Sequence, residues 1–240
     1  MTQDKSKISR QFQMAGYFAV LIGLLRDRQG FMEEIRSSVR IHNKIIALLV
    51  SSSIFFAIYG GVVGSSHSWQ QALSSAVKLP SLYLLTLIIC LPTLYFSNVI
   101  FGSQRSFSQH FAVLLSAVSV TSVLLFSFAP ITLFFLITTK NYNFFLVLNV
   151  FIFALTGFIG VYSLYQGMKI VIEQDTEGSK TRTKILQFWL GLYAFVGSQL
   201  GWTLRPFFGS PGLPFELFRE KEGNFYLSVL HAIAHLLVFR

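Results

Sequence analysis

His231 and His235 form the most ligand-like pair in this 240-residue chain. At a spacing of four they share one face of a helix, one turn apart. That arrangement suits a metal ion, or one axial ligand to each of two separate haems or chlorophylls. A single helix cannot place both rings on opposite sides of one haem. No neighbouring carboxylate completes a metal shell. The plainer reading is two interfacial histidines on the polar face of an amphipathic helix, with no cofactor. His42, His67 and His110 are flanked by loop residues and read as bland.

Other chemistry is tested by residue type. A zinc protease would carry HExxH on a helix, and the chain has none. Glu33-Glu34 matches the first half of the EExxxR motif of CAAX-type membrane proteases, but Ser38 stands where the arginine belongs. Ser51-Ser52-Ser53 offers hydroxyls with no mid-span histidine to activate them. Such hydroxyls serve better as hydrogen-bonding groups between helices. The single cysteine, Cys90, excludes an intramolecular disulfide and reads as a small buried apolar residue. The chain is therefore expected not to be an enzyme.

A second candidate constellation follows Arg205. The stretch Arg205–Tyr226 contains Phe207, Phe208, Phe215 and Phe218, with mixed charge from Glu216 through Arg219 to Glu222. Arg205 could meet a lipid phosphate or a partner's carboxylate. Phenylalanines beside mixed charge suit a docking surface for another membrane protein. The candidate docking set is Arg205, Phe207, Phe208, Phe215, Phe218 and Arg219.

The elements that must position these residues follow from composition. Hydrophobic residues make up 53% of the chain and charged residues 12%, against about 25% charged in soluble domains. Five uncharged runs follow one another: 45–77, 79–104, 106–139, 141–168 and 185–204. Each reaches the ~20 residues a helix needs to cross a hydrocarbon core. The prediction is an all-α, polytopic transmembrane helix bundle of about five spans, at 45–63, 79–101, 111–137, 144–165 and 185–204. An amphipathic segment flanks it at each end.

The domains are a tail with an interfacial helix (1–44), the five-helix membrane domain (45–204), and an aromatic segment ending in an interfacial helix (205–240). Residues 11–25 are too short to span and read as a half-buried helix. Arg26-Asp27-Arg28 follows in place of a cleavage site, so this stretch reads as mature protein rather than signal. Phe31, Ile35 and Val39 mark one apolar stripe, with Arg36, Arg40 and Lys44 facing headgroups. Residues 70–77 read as a short surface helix, with the second span starting at Lys78-Leu79-Pro80. Pro92 should kink that span, and Pro130 should bend or break the third. Gly157 and Gly160 in the fourth span, and Gly191, Gly197 and Gly201 in the fifth, are the candidate helix-packing positions. Residues 225–239 read as an interfacial helix, with a sixth span as the alternative.

Orientation follows from Lys and Arg counts. With the N-terminus inside, the inner segments carry 13 of the 19 basic residues, so a cytoplasmic N-terminus is expected. The net charge of +9 belongs to these membrane-flanking clusters and implies lipid headgroups, not nucleic acid, as partner. The central spans as drawn hold no Asp, Glu, Lys or Arg, which argues against proton- or ion-coupled carriers.

Two stretches, SWQQALSSAVKLPSLYLLTLIICLPTLYF (68–96) and GWTLRPFFGSPGLPFELFREKEGNFY (201–226), resemble a poorly characterised family of bacterial polytopic membrane proteins common in cyanobacteria. The plan of a polar tail before five helices is also loosely similar to Yip1-type proteins. Neither resemblance supplies catalytic residues. The first implies a thylakoid or plasma membrane, with photosynthetic complexes as partners. The leading expectation is thus a membrane accessory or assembly factor that binds other integral membrane proteins. The alternatives are a channel or carrier for a neutral or lipid-like substrate, and a pigment- or haem-binding subunit.

Overall fold

The computed structural model describes residues 16–139, 142–172, 179–208 and 215–218. Among these, the regular structure is helix with no strand: α1 Gly16–Arg26, α2 Arg28–Arg36, α3 Ile41–Gly64, α4 Trp69–Ile100, α5 Phe107–Thr138, α6 Tyr142–Ile172 and α7 Ser179–Leu204. Four of them, α3 to α6, are long and apolar enough to cross a membrane. Large apolar side chains stand bare on their outer faces, including Ile100, Ile137 and Phe158. In water such surface would be costly; in hydrocarbon it is the ordinary outer face. The protein is a membrane-embedded helical bundle.

The expected fifth span corresponds to α7. Gln187, Ser198, Gln199 and Thr203 dilute its apolar character. It runs antiparallel to α4: Trp189 Nε1 donates to the Cys90 carbonyl at 2.8 Å, Gly197 sits by Thr86, and Gln71 reaches the Pro206 carbonyl. That shared track, from Cys90 to Gln71, covers about 28 Å of helix axis.

α5 is the hub. From Ala112 to Ser119 every residue is buried, whichever way it faces. That stretch can be enclosed because the hydroxyls in and next to it are satisfied locally. Ser116 and Ser119 donate to the Ala112 and Leu115 carbonyls, and Thr121 and Ser122 to those of Ala117 and Ser119. A capping box starts it: Ser106 Oγ accepts from Gln109 N, and Gln109 Oε1 accepts from Ser106 N. The turn before it closes α4 with Gly102 at φ +83 and paired Gly102 N–Val99 O and Ser103 N–Asn98 O bonds, a Schellman arrangement.

The N-terminal helices close one end of the bundle, called basal below. Gln109 Nε2 donates to the Arg36 carbonyl at 2.6 Å and to Ser38 Oγ at 3.1 Å. Arg28 donates to the Ser163 carbonyl of α6. Burial pushes the Arg28 pKa below its ordinary value, with the Tyr162 phenol working the other way. Ser38 and Arg40 take positive φ, which ends α2 and turns the chain into α3. That turn overturns two expectations. Phe31 and Ile35 are buried, but Val39 is swung off their stripe and exposed. Lys44 does not face headgroups either: it is buried, ion-paired with Glu34, with its ammonium 4.8 Å from the Phe31 ring centre.

The largest correction concerns α4. No surface helix precedes the second span; one helix runs from Trp69 through Pro80 and Pro92 to Ile100. Ser68 starts it, its hydroxyl accepting from Gln71 N. With the start fixed there, Pro80 falls mid-helix. α5 likewise continues unbroken through Pro130. The opening of α4 lies flat against the end of α3, where a Cβ on Gly60 or Gly64 would collide with the carbonyls of Ser75 and Gln71 respectively. Gly60 and Gly64 form a GxxxG pair, spacing that permits close backbone approach in membranes.

Gly60→Ala and Gly64→Ala should each destabilise the protein by about 1–3 kcal/mol through overpacking. Gly61→Ala should be neutral or mildly stabilising, since its Cβ would meet only Ala76 Cβ at 3.9 Å. Thermal unfolding in mild detergent checks this; three equal melting temperatures would contradict the close approach.

Candidate functional site

Gln71, Ser75 and Lys78 lie on one face of α4 and are all buried. α7 ends at Leu204, and Arg205 to Phe208 follow outside any helix. Their carbonyls therefore need other donors, and α4 supplies them. Gln71 Nε2 donates to the Pro206 carbonyl at 2.7 Å, and Ser75 Oγ to that of Phe207 at 2.7 Å. Lys78 Nζ donates to the Pro206 carbonyl at 3.3 Å and to the Leu217 carbonyl, with the Phe218 ring centre 4.8 Å away. No Asp or Glu among the described residues pairs with Lys78. Three carbonyl and ring contacts hold its charge, and residues 205–208 and 215–218 are drawn onto α4 around it.

This anchoring shapes a groove. The helices form a ring in which α3 packs on α4 and α5, α5 on α6, and α7 on α4. The ring is thinnest where α6 meets α7. There a cavity of about 590 Å³ opens, walled by Leu79, Leu82 and Tyr83 of α4, Leu146, Val150 and Phe153 of α6, and Ser198, Gly201 and Trp202 of α7. Arg205, Phe207 and Phe208 close its end. Phe208 is braced edge-on against Phe145, ring centres 6.3 Å apart. The Arg205 guanidinium carbon lies 3.2 Å over the Trp202 ring. Among the described residues, the lining side chains apart from Tyr83, Ser198 and Arg205 are apolar or aromatic.

Beneath the groove, the interior is held by one bond between α3 and α6. Tyr59 Oη donates to Asn149 Oδ1 at 2.8 Å, both fully buried, and Asn149 Nδ2 donates to the Phe145 carbonyl. Phe56 stacks on Tyr83 at 4.3 Å. A second cavity, about 570 Å³, lies at the basal end among Tyr17, Glu34, Arg40, Asn43 and Lys44. There the Lys44–Glu34 pair already compensates much of the charge.

The candidate residues divide as follows. Arg205, Phe207 and Phe208 come together at the groove, and Phe207 and Phe208 pack against the bundle core. Phe215 is half-buried and Phe218 exposed beneath the Lys78 ammonium. Arg219, His231 and His235 lie outside the described residues. Of the expected packing glycines, Gly160 meets Thr121 so closely that a Cβ would collide with its hydroxyl, and Gly197 makes ordinary contact with Thr86. Among the described residues nothing stands within 4 Å of a Cβ placed on Gly157, Gly191 or Gly201. Gly201 is instead part of the groove wall.

The sequence reading does not single out Gln71, Ser75 and Lys78, because 70–77 has the look of a surface helix apart from the span. Their signal was present: positions i, i+4 and i+7 make a polar stripe on one helical face. The uncharged-interior expectation is corrected with them, since Lys78 belongs inside a membrane-length helix and is buried. Comparison with family models, with curated proteins and with solved structures returned no match to this chain.

Replacing Lys78 by Met should take the donor from the Leu217 carbonyl, at about 1–3 kcal/mol, while the Pro206 carbonyl keeps Gln71. Hydrogen exchange should then accelerate at Phe207, Phe208 and 215–218 while α5 keeps its protection. Unchanged exchange in that segment would show that the lysine does not hold it.

Proposed function

We propose that this chain is a non-enzymatic membrane protein that binds a lipid-like molecule in the groove between α4, α6 and α7. One observation carries the reading: among the described residues α6 and α7 meet only sparsely, and an apolar cavity occupies that seam. Its volume of about 590 Å³ falls within the range of small-molecule sites. Val150 on its wall is exposed on the lipid-facing side, so a ligand could enter sideways from the bilayer. Carrying such a ligand across the membrane and holding it as a structural lipid are both compatible with this geometry. The excess of basic residues at the basal end supports a cytoplasmic N-terminus, which would set Arg205 and the groove mouth in the outer leaflet.

A second reading, an accessory factor for another membrane protein, draws on the bare tip of the C-terminal segment. Leu217 and Phe218 are 53% and 55% exposed and could meet a partner at the membrane surface. A photosynthetic complex as that partner, and a thylakoid as the membrane, follow from the resemblance alone.

Gly201 supplies the test, because a larger side chain there enters open space. Gly201→Leu should retain the fold and melt no lower than wild type, while filling the groove. Native mass spectrometry from mild detergent should show lipid on the wild type and a loss of about tenfold or more in the variant, a change of at least one well-buried apolar contact. Equal lipid retention by both would sink the groove as the binding site. A wild type that carries no lipid but migrates with a larger complex would favour the accessory reading.

A further inference from the structure

Independently of the groove, we infer that the basal cavity holds the phosphate of a membrane phospholipid, seated on Arg40 and the first turn of α3. The cavity, about 570 Å³, lies between the start of α1, the end of α2 and the opening turns of α3. Its lining changes character along α3: Arg40, Asn43 and Lys44 come first, then Ile46 and Ala47, with Val20 of α1 as a further apolar wall. From Arg40 to Ala47 is about 10 Å of helix. The polar end therefore belongs to the headgroup layer and the apolar end to the edge of the hydrocarbon. Ile46 is 50% exposed, so that end is open to an acyl chain.

The polar end calls for an anion on separate grounds. Glu33 pairs with Arg36 and Glu34, which also lines the cavity, pairs with Lys44. Among the described residues no carboxylate pairs with Arg40. α3 also starts without a side-chain cap. Its first backbone bond runs from Lys44 N to the Arg40 carbonyl, and no described acceptor outside the helix meets the N–H groups of Ile41, His42 and Asn43. Unmet N–H groups at a helix start attract phosphate. Arg40 itself stands at φ +47, a conformation that favours glycine. An arginine there carries a conformational cost that glycine would not, and such costs collect at ligand sites. A phosphate at this point takes charge-assisted bonds from the guanidinium fork and from the α3 amides. Its acyl chain then runs past Val20 and Ile46.

Hydrogen exchange of the full chain in mild detergent tests the site, with phosphatidylglycerol, diacylglycerol of identical chains and inorganic phosphate as probes. Phosphatidylglycerol should slow exchange at residues 41–43 by about tenfold, and the other two should leave it unchanged. Arg40→Gly should melt no lower than wild type, since glycine suits the turn, yet bind phosphatidylglycerol about tenfold more weakly at this site. Arg40→Lys, which keeps the charge but not the fork, should lose less. Gly201→Leu, which fills the groove, should leave the protection intact. Protection by diacylglycerol, or full affinity in folded Arg40→Gly, would overturn the phosphate assignment. Equal protection by inorganic phosphate would overturn a lipid as its source, and a wild type protected by none of the three would remove the site.

Discussion

The close approach of α3 and α4 at Gly60 and Gly64 is the contact from which the rest of the molecule takes its register. Lipid tails are as apolar as leucine, so helices in a bilayer gain little from burying apolar faces on each other. They associate through close backbone packing and polar contacts. Here α3 meets the carbonyls of Gln71 and Ser75 with no side chain between. That contact fixes how the opening of α4 is rotated. The side chains of Gln71, Ser75 and Lys78 are then presented to the chain emerging from α7. The C-terminal segment is placed at second hand by a glycine pair more than 130 residues earlier in the sequence.

The same scarcity of driving force explains how polar groups are used inside. Many buried serines and threonines donate to carbonyls on their own helix, as Ser51 does to Ala47 and Thr156 to Ile152. A hydroxyl bonded in this way carries no unmet hydrogen into the interior. The few bonds that cross between helices lie where packing alone would be indifferent. Tyr59 joins α3 to α6 through Asn149, and Trp189 joins α7 to α4 through the Cys90 carbonyl. Cys90 precedes Pro92 by two residues, in a turn where proline removes a backbone donor. Between α6 and α7 the contact is sparse, and the groove occupies that seam.

Two lysines illustrate two ways to bury an ammonium. Lys44 has a carboxylate, Glu34, and the face of Phe31. Lys78 has backbone carbonyls and the face of Phe218. An isolated buried charge is costly unless it is paired or hydrogen-bonded. The first arrangement neutralises charge and closes the basal end. The second gives the charge carbonyl and ring partners and so ties the C-terminal segment to α4.

Hydropathy and charge spacing were sufficient to determine that this chain lies in a membrane as helices, because length and polarity of a segment decide its partition into lipid. They also located α3 and α5 to within four residues at each end, placed the start but not the end of α6, which runs seven residues further, and marked Arg205, Phe207 and Phe208 as a unit. They did not determine where α4 begins, because Lys78-Leu79-Pro80 carries the signature of a helix start while Ser68, the actual cap, looks like loop. Nor could spacing separate the glycines that pack, Gly60, Gly64 and Gly160, from those that face open space, Gly157, Gly191 and Gly201. Glycine permits a close approach without specifying the neighbour that makes it. Which helix arrives is decided by the rotation and order of the whole bundle. The groove is therefore a property of the tertiary structure alone: its walls come from three helices and a segment distant in sequence, and no local pattern records that α6 and α7 stop short of closing.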